Sequence, residues 1–356
     1  MNQIKNTAYF LVALVLGAIV LIEGSFILVP LVWGIFFAVA LNPISSWLEH
    51  KRIPRGLAIV SSILLVSLIS FGVFYLLVNQ MLGLIKEIPE IRTNLESKLS
   101  RYLQELSLMV GRDLLGPLDE LSILPKGNFN QTLFETGKSL TLAGIVPLYT
   151  FLLIYYKDFF KEFLVRISSK NKDQIVVWAE DSGRVIQSYL SGMIRVTGIV
   201  AVLAGVFFYF LGVKYFILFA AFIAILNLIP YVGVFISSFF VILYVFLTTD
   251  SVVYPVVTFA VLWGIQLLEN NIITPLVVGS KVKVNALAVI LAILLGGWLW
   301  GISGMVLFIP LVGVLKITLE RNQALSPYAY LLGDEVPVTE ERENVFKLFQ
   351  NRFFKK

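Results

Sequence analysis

The chain has 356 residues, of which 58% are hydrophobic and 14% charged, with a net charge of +5 and a mean hydropathy of +0.86. Soluble domains are about 45–50% apolar and about 25% charged, so this composition excludes a soluble globular protein, which could not cover so much apolar surface with so few charges. There is no cysteine, and His50 is the only histidine, which excludes disulfides, thiol nucleophiles, thiolate metal sites and any His-pair metal site within one chain.

The charges are unevenly spread. Residues 6–22, 24–48, 56–85, 139–156, 196–213, 215–249, 251–268 and 284–315 contain no Asp, Glu, Lys or Arg. A helix crossing the hydrocarbon core needs about 20 mostly apolar residues, so these runs predict an all-α integral membrane fold with about six to eight transmembrane helices. Lys5 before the first apolar run resembles the start of a signal peptide. No small-residue cleavage pattern comes after it, and Glu23 leads into another apolar run, so an uncleaved first membrane helix is expected.

In chain order, residues 1–85 read as membrane helices with spans near 8–28, 30–48 and 57–83. The intervening loop carries Lys51, Arg52 and Arg55. Residues 86–138 are polar and balanced in sign. Within them Ile88, Ile91, Leu95, Leu99, Tyr102, Leu106 and Met109 recur every three or four residues, the apolar stripe of an amphipathic helix. That stripe either lies on the chain's own membrane domain or forms a subunit contact. Residues 139–157 supply a fourth span, and 158–191 carry Lys157, Lys161, Arg166, Lys170, Lys172 and Arg184 at or within their borders. Ile175, Trp178, Val185, Ile186 and Tyr189 predict an interfacial helix there. The tail 321–356 ends in Arg352, Lys355 and Lys356. By the positive-inside rule the basic loops and both termini face the cytoplasm, and 86–138 lies outside. In this setting the positive charge marks topology; a nucleic-acid partner is not implied.

The second half, 192–320, is less regular. The run 215–249 is interrupted by Asn227-Leu-Ile-Pro230-Tyr-Val-Gly233, where Pro230 removes a backbone donor and Gly233 loosens the residues after it. Each flank is only about 15 residues, short for a crossing. The run 285–319 has Gly296-Gly297 and Gly301 near its centre and Pro310 later, in a stretch (Ile309-Pro-Leu-Val-Gly) that echoes Ile229-Pro-Tyr-Val-Gly. Two broken hairpins would enter the membrane from opposite sides, as in inverted-repeat transporters with a midplane site. The alternative is two short crossings around a tight turn in each run.

Chemistry concentrates in Gln266-Leu-Leu-Glu269-Asn270-Asn271-Ile-Ile-Thr-Pro275. Ionisable groups inside membranes are costly and mark ion or substrate paths, and a carboxylate flanked by amide carbonyls can carry a proton or hold a hard cation. A local cap or a pair with Lys281 is the plainer role for Glu269. Asn227 either satisfies backbone groups freed by Pro230 or lines a site. Arg195, Lys214 and Glu23 sit at span ends, where snorkelling accounts for them.

Enzyme signatures fail. Gly301-Ile-Ser-Gly304 matches a rhomboid-type protease motif, yet that chemistry needs an embedded histidine and His50 lies in a basic loop. No two aspartates lie within spans, and no Gly-x-x-x-x-Gly-Lys-Ser/Thr is present, so the chain has no ATPase of its own.

Asn227…Pro230…Gly233, then Glu269-Asn270-Asn271…Pro275, then Gly296-Gly297 with Ile309-Pro310, resemble in order and spacing the autoinducer-2 exporter-like family of bacterial multi-pass transporters, over nearly the whole chain. The resemblance implies a cytoplasmic-membrane permease. It further implies export of a small polar molecule such as autoinducer-2, or cation–proton antiport, and a homo-oligomer, with a pentamer as one form. It does not choose the substrate. On this reading Asn227, Gln266, Glu269, Asn270 and Asn271 contact substrate or coupling ion, and Pro230, Gly233, Pro275, Gly296, Gly297 and Pro310 shape the breaks. No cofactor and no metal site is expected. The expected partners are membrane lipid and the transported solute or ion. A passive channel would need a longer polar path, and a scaffold or sensor would need neither Glu269 nor Pro230.

Overall fold

The structure is a computed structural model that describes residues 2–110, 144–167, 172–229, 232–277 and 284–334. The described residues are helical throughout, without a strand. In order the helices are α1 (Asn2–Glu23), α2 (Ser25–His50), α3 (Arg55–Val110), α4 (Gly144–Tyr155), α5 (Lys157–Ile167), α6 (Lys172–Phe210), α7 (Phe216–Leu226) and α8 (Val232–Thr248). Then come α9 (Val253–Leu268), a π-helical turn (Glu269–Ile273), α10 (Thr274–Val277), α11 (Ala286–Glu320) and α12 (Ser326–Leu332). Five of the helical runs are long and apolar enough to cross a membrane, with four shorter apolar helices beside them. Large apolar side chains face outward along α1 and α3, among them Leu68, Phe71 and Phe74. An apolar core that is also wrapped in apolar side chains defines an all-α multi-pass membrane protein.

α6 is the mast of the molecule. It runs unbroken for 39 residues, about 58 Å, so the segment expected as an interfacial helix and the span after it are one element. Gly183 and Gly192 lie within it, and glycine alone weakens a helix without ending it. The helix stops at Gly212, whose φ of 78° only glycine adopts freely; Gly212 N donates to Tyr209 O and Val213 N to Phe208 O, a Schellman cap. The upper half of α6 (Val196, Val200, Ala204, Phe208) builds a core with α7, α8 and α9. The lower half (Ile186, Leu190) packs with Phe36 of α2 and Leu307 of α11. A third cluster joins α2, α3 and α4 through Leu41, Ile59 and Ile154.

Other boundaries also differ from those expected from hydropathy. Between α1 and α2 the helical hydrogen bonds continue through Gly24 (Gly24 N to Val20 O, 2.9 Å; Leu28 N to Gly24 O, 2.9 Å), so the chain bends there without reversing. α3 continues for 56 residues through Pro89, uniting the third span with the amphipathic segment. Its extension lies along the chain's own helices: Ile91 packs on the α6–α9 core and Tyr102 stacks on Phe246 at 6.0 Å. Residues 111–138, the span start 139–143 and the tail beyond 334 lie outside the described residues.

Both interrupted runs are helical hairpins. α7 and α8 lie antiparallel, with Phe222 against Phe240 at 6.5 Å and Phe219 against Tyr244 at 4.5 Å. α11 is hydrogen-bonded almost throughout yet is not a single rod. Trp300 and Gly301 leave helical geometry, Gly301 at φ 59° and ψ −142°. A methyl on Gly296 would lie 2.3 Å from Gly304 O, an approach that only a reversed chain allows. At the other end Asn285 donates to Gly333 O at 2.9 Å, while Gly333 sits against Lys316, so the start and finish of α11 share one end. The arms are therefore 286–299 and 302–320. The α7–α8 hairpin opens beside the C-terminal end of α6, where Tyr209 meets Phe216 at 5.5 Å. The α11 hairpin opens beside the N-terminal part of α6, where Trp178 donates to Thr318 at 3.0 Å. The two hairpins thus point in opposite directions along the mast.

Candidate functional site

α7 ends because the sequence changes from uninterrupted apolar residues to Asn227-Leu-Ile-Pro. Asn227 still donates its backbone N–H to Ile223 O at 2.9 Å, and Leu228 and Ile229 close a tight turn onto Ile225 O and Leu226 O. Gly233 starts the return. A methyl there would stand 1.6 Å from Leu226 O, so only glycine lets α8 begin against the end of α7. Pro230 lies outside the described residues.

α9 runs 16 residues, about 24 Å, from the open end of the α7–α8 hairpin toward its tip. There it widens: the N–H of Thr274 reaches Glu269 O, five residues back. Such π turns cost hydrogen-bond geometry and recur at functional sites because the extra residue re-aims side chains. Here the turn begins at Glu269, which is 7% exposed. Asn227 Nδ2 donates to Glu269 Oε1 at 2.8 Å, joining the hairpin tip to the π turn across 42 residues of sequence. Glu269 Oε2 is buried and has no partner among the described residues. A buried carboxylate with one oxygen bound and one open is unstable as a bare anion, and a proton or a cation on Oε2 would complete it.

The remaining sequence candidates divide. Gln266 Nε2 donates to Asn270 Oδ1 at 3.2 Å one turn away, and Asn270 is exposed. Asn271 is exposed and donates to Leu267 O at 2.8 Å. Pro275, expected to shape a break, lies exposed in the first turn of α10, where proline is tolerated, and the helical run continues to Val277. Gly296, Gly297 and Pro310 belong to the second hairpin. Gly296 and Gly297 are close-packed against Gly304 and Met305 just before the break at Trp300–Gly301, and Pro310, expected to shape a break, is instead buried within an uninterrupted second arm. Among the described residues α11 touches α1, α2, α6 and α12, and none of α7 to α10. The structure thus unites Asn227 with Glu269 and leaves the second hairpin on the other side of α6.

Three contacts have no signature in the sequence. Lys98 of α3 donates to Phe246 O at 2.6 Å and Thr249 O at 2.5 Å, capping the end of α8. Lys214 pairs with Glu87, tying the α6–α7 loop to the same helix. Trp300 at the tip of the α11 hairpin donates to Leu21 O at 2.9 Å. A lysine within a balanced polar segment gives no periodic signal, and neither does the landing point of an indole N–H.

A helical, lipid-facing chain with two opposed hairpins and a carboxylate buried at a hairpin tip falls in the class of multi-pass membrane transporters. The chain belongs to the AI-2E family of transporters, whose family model matches residues 9–323. It is 29% identical over 317 residues to a Haemophilus influenzae protein whose name proposes a transport role, covering 86% of this chain and 90% of that one. It is 26% identical over 307 residues to YrrI of Bacillus subtilis, covering 82% and 85%. With the AI-2 transport protein TqsA of Escherichia coli it shares 26% identity over 339 residues, 91% of this chain and 95% of TqsA. The family is one of transporters.

Proposed function

We propose that this chain is a secondary-active carrier of the bacterial cytoplasmic membrane, with its C-terminus in the cytoplasm, in which Glu269 takes up and releases the coupling proton or cation. The open Oε2 of Glu269, beside the Asn227 contact at the break between α7 and α8, carries the reading. In the proton case, Oε2 gains a proton from one side and loses it to the other, so that the buried group crosses uncharged. In the cation case the carboxylate and an amide oxygen supply hard ligands. The hairpins act as re-entrant elements opening to opposite faces, an arrangement that suits alternating access. The transported solute is a small polar molecule such as autoinducer-2, or the cation itself in exchange for protons. This assignment rests on the family and on the role that the name of TqsA gives that protein. A homo-oligomer is proposed with it, on the same resemblance.

Flux measured in proteoliposomes under imposed proton and sodium gradients tests the assignment. Glu269→Gln should abolish the dependence on the driving gradient. Asn227→Ala should weaken coupling tenfold or more, since a hydrogen bond to a charged group contributes about 1.5–3 kcal/mol. Unchanged gradient dependence in Glu269→Gln would sink the carrier role of this carboxylate. Flux that fails to saturate would instead favour a channel.

A further inference from the structure

α6 carries a polar stripe that the Asn227–Glu269 pair does not use. Asp181, Arg184, Ser188, Ser191 and Arg195 succeed one another at three- and four-residue intervals, which places them on one face of the helix. With Arg321 from the end of α11 they line a cleft of about 850 Å³ between the mast and the second hairpin. The charges at the mouth are already engaged. Asp181 accepts from Arg184 and, at 2.6 Å, from Arg321. Glu320, also at the mouth, is held by Lys316 at 3.3 Å.

Arg195 differs. It lies about 21 Å farther along α6 than Asp181. It precedes the charge-free run 196–213 directly. Among the described residues it has no ion pair and no side-chain hydrogen bond, and it lines the cleft. A guanidinium stays charged at any physiological pH and carries a planar fork of donors that matches oxyanions. The serines one and two turns before it are adaptable: Ser191 donates only to Ser188 O, at a long 3.3 Å. An exposed, unpaired guanidinium in the lining of a polar cleft, with hydroxyls one and two turns before it, is a receptor for negative oxygen.

We propose that this cleft binds an anionic carboxylate- or phosphate-bearing group, with Arg195 as its principal donor and Ser188 and Ser191 beside it. The group belongs either to a soluble solute or to an anionic lipid headgroup. The cleft shares no lining residue with the Asn227–Glu269 pair, although α6, which carries Arg195, also touches the π turn that begins at Glu269.

Thermal unfolding of the purified full-length chain in neutral detergent tests this at constant ionic strength. The probes are inorganic phosphate and short-chain phosphatidylglycerol. At least one should raise the melting temperature saturably. The apparent Kd should rise tenfold or more in Arg195→Gln and severalfold in Arg195→Lys, which keeps the charge and loses the fork. It should stay unchanged in Arg166→Gln, whose arginine is paired with Glu162 on α5. Saturation by phosphate assigns a solute site, and saturation by the lipid alone assigns a headgroup site. No saturable shift with either probe overturns the proposal, as does a shift that survives loss of Arg195. If Arg195→Gln does not fold, an unaltered Kd in Arg195→Lys overturns it equally.

Discussion

Gly233 and Gly304 show how a single hydrogen atom in place of a methyl decides a hairpin. An added Cβ would stand 1.6 Å from Leu226 O in the first case and 1.9 Å from Gly296 O in the second, both against backbone that cannot rotate aside. Gly233→Ala and Gly304→Ala should each lower stability by about 1–3 kcal/mol, the usual range for overpacking. Gly198→Ala is the control. Gly198 has nothing within 4 Å of its Cβ position and sits inside α6, where alanine should be neutral or stabilise by up to about 1 kcal/mol. Denaturation in detergent, compared across the three variants, checks the ordering. Glu269 and Asn227 were legible as residues, because a carboxylate in an uncharged run and an asparagine before a proline stand out. Their 2.8 Å contact was not, since nothing in one sequence couples positions 42 apart.

Among the elements, the α3 extension does more than cover the membrane domain. Its Lys98 satisfies two carbonyls at the end of α8, which would otherwise be orphaned at a helix terminus. It also passes over the Phe246 ring, 5.2 Å from the centroid. Lys98→Ala should therefore loosen the open end of the first hairpin and leave its tip intact. Hydrogen exchange should accelerate at residues 246–249 by one to two orders of magnitude, in line with about 1.5–3 kcal/mol for hydrogen bonds to a charged group. Exchange at 223–227 should not change. Uniform acceleration of both regions would mean that the strap holds the whole hairpin. The sequence disclosed this segment as amphipathic through its stripe, and disclosed both breaks through Pro and Gly. It did not disclose that α3 and α6 run on through expected boundaries. Continuity depends on hydrogen bonding across Pro89 and across polar residues 172–191, which hydropathy does not see.

For the whole molecule, the opposed hairpins set the expected access pattern. The α8–α9 connection carries exposed Asp250, and the end of α11 leads to exposed Asn322. The chain has no native cysteine, so Asp250→Cys and Asn322→Cys each give a single label site. A membrane-impermeant maleimide should reach the two from opposite faces of sealed vesicles. Labelling of both from the same face would contradict the inverted arrangement.

The sequence by itself determined the membrane-embedded helical class, the neighbourhoods of the two hairpin tips, a carboxylate at the end of an uncharged run and the family resemblance. Each of these comes from local composition: apolar run length, the missing donor of proline, the cost of a charge among apolar residues, and a short ordered set of motifs. Only the tertiary structure decided which break meets which polar group. It put Asn227 against Glu269, set the second hairpin apart behind α6, and brought Arg195, by its position in sequence an ordinary span-end residue, into the lining of a cleft. Those outcomes depend on packing between elements distant in sequence, above all on backbone approaches that glycine alone permits.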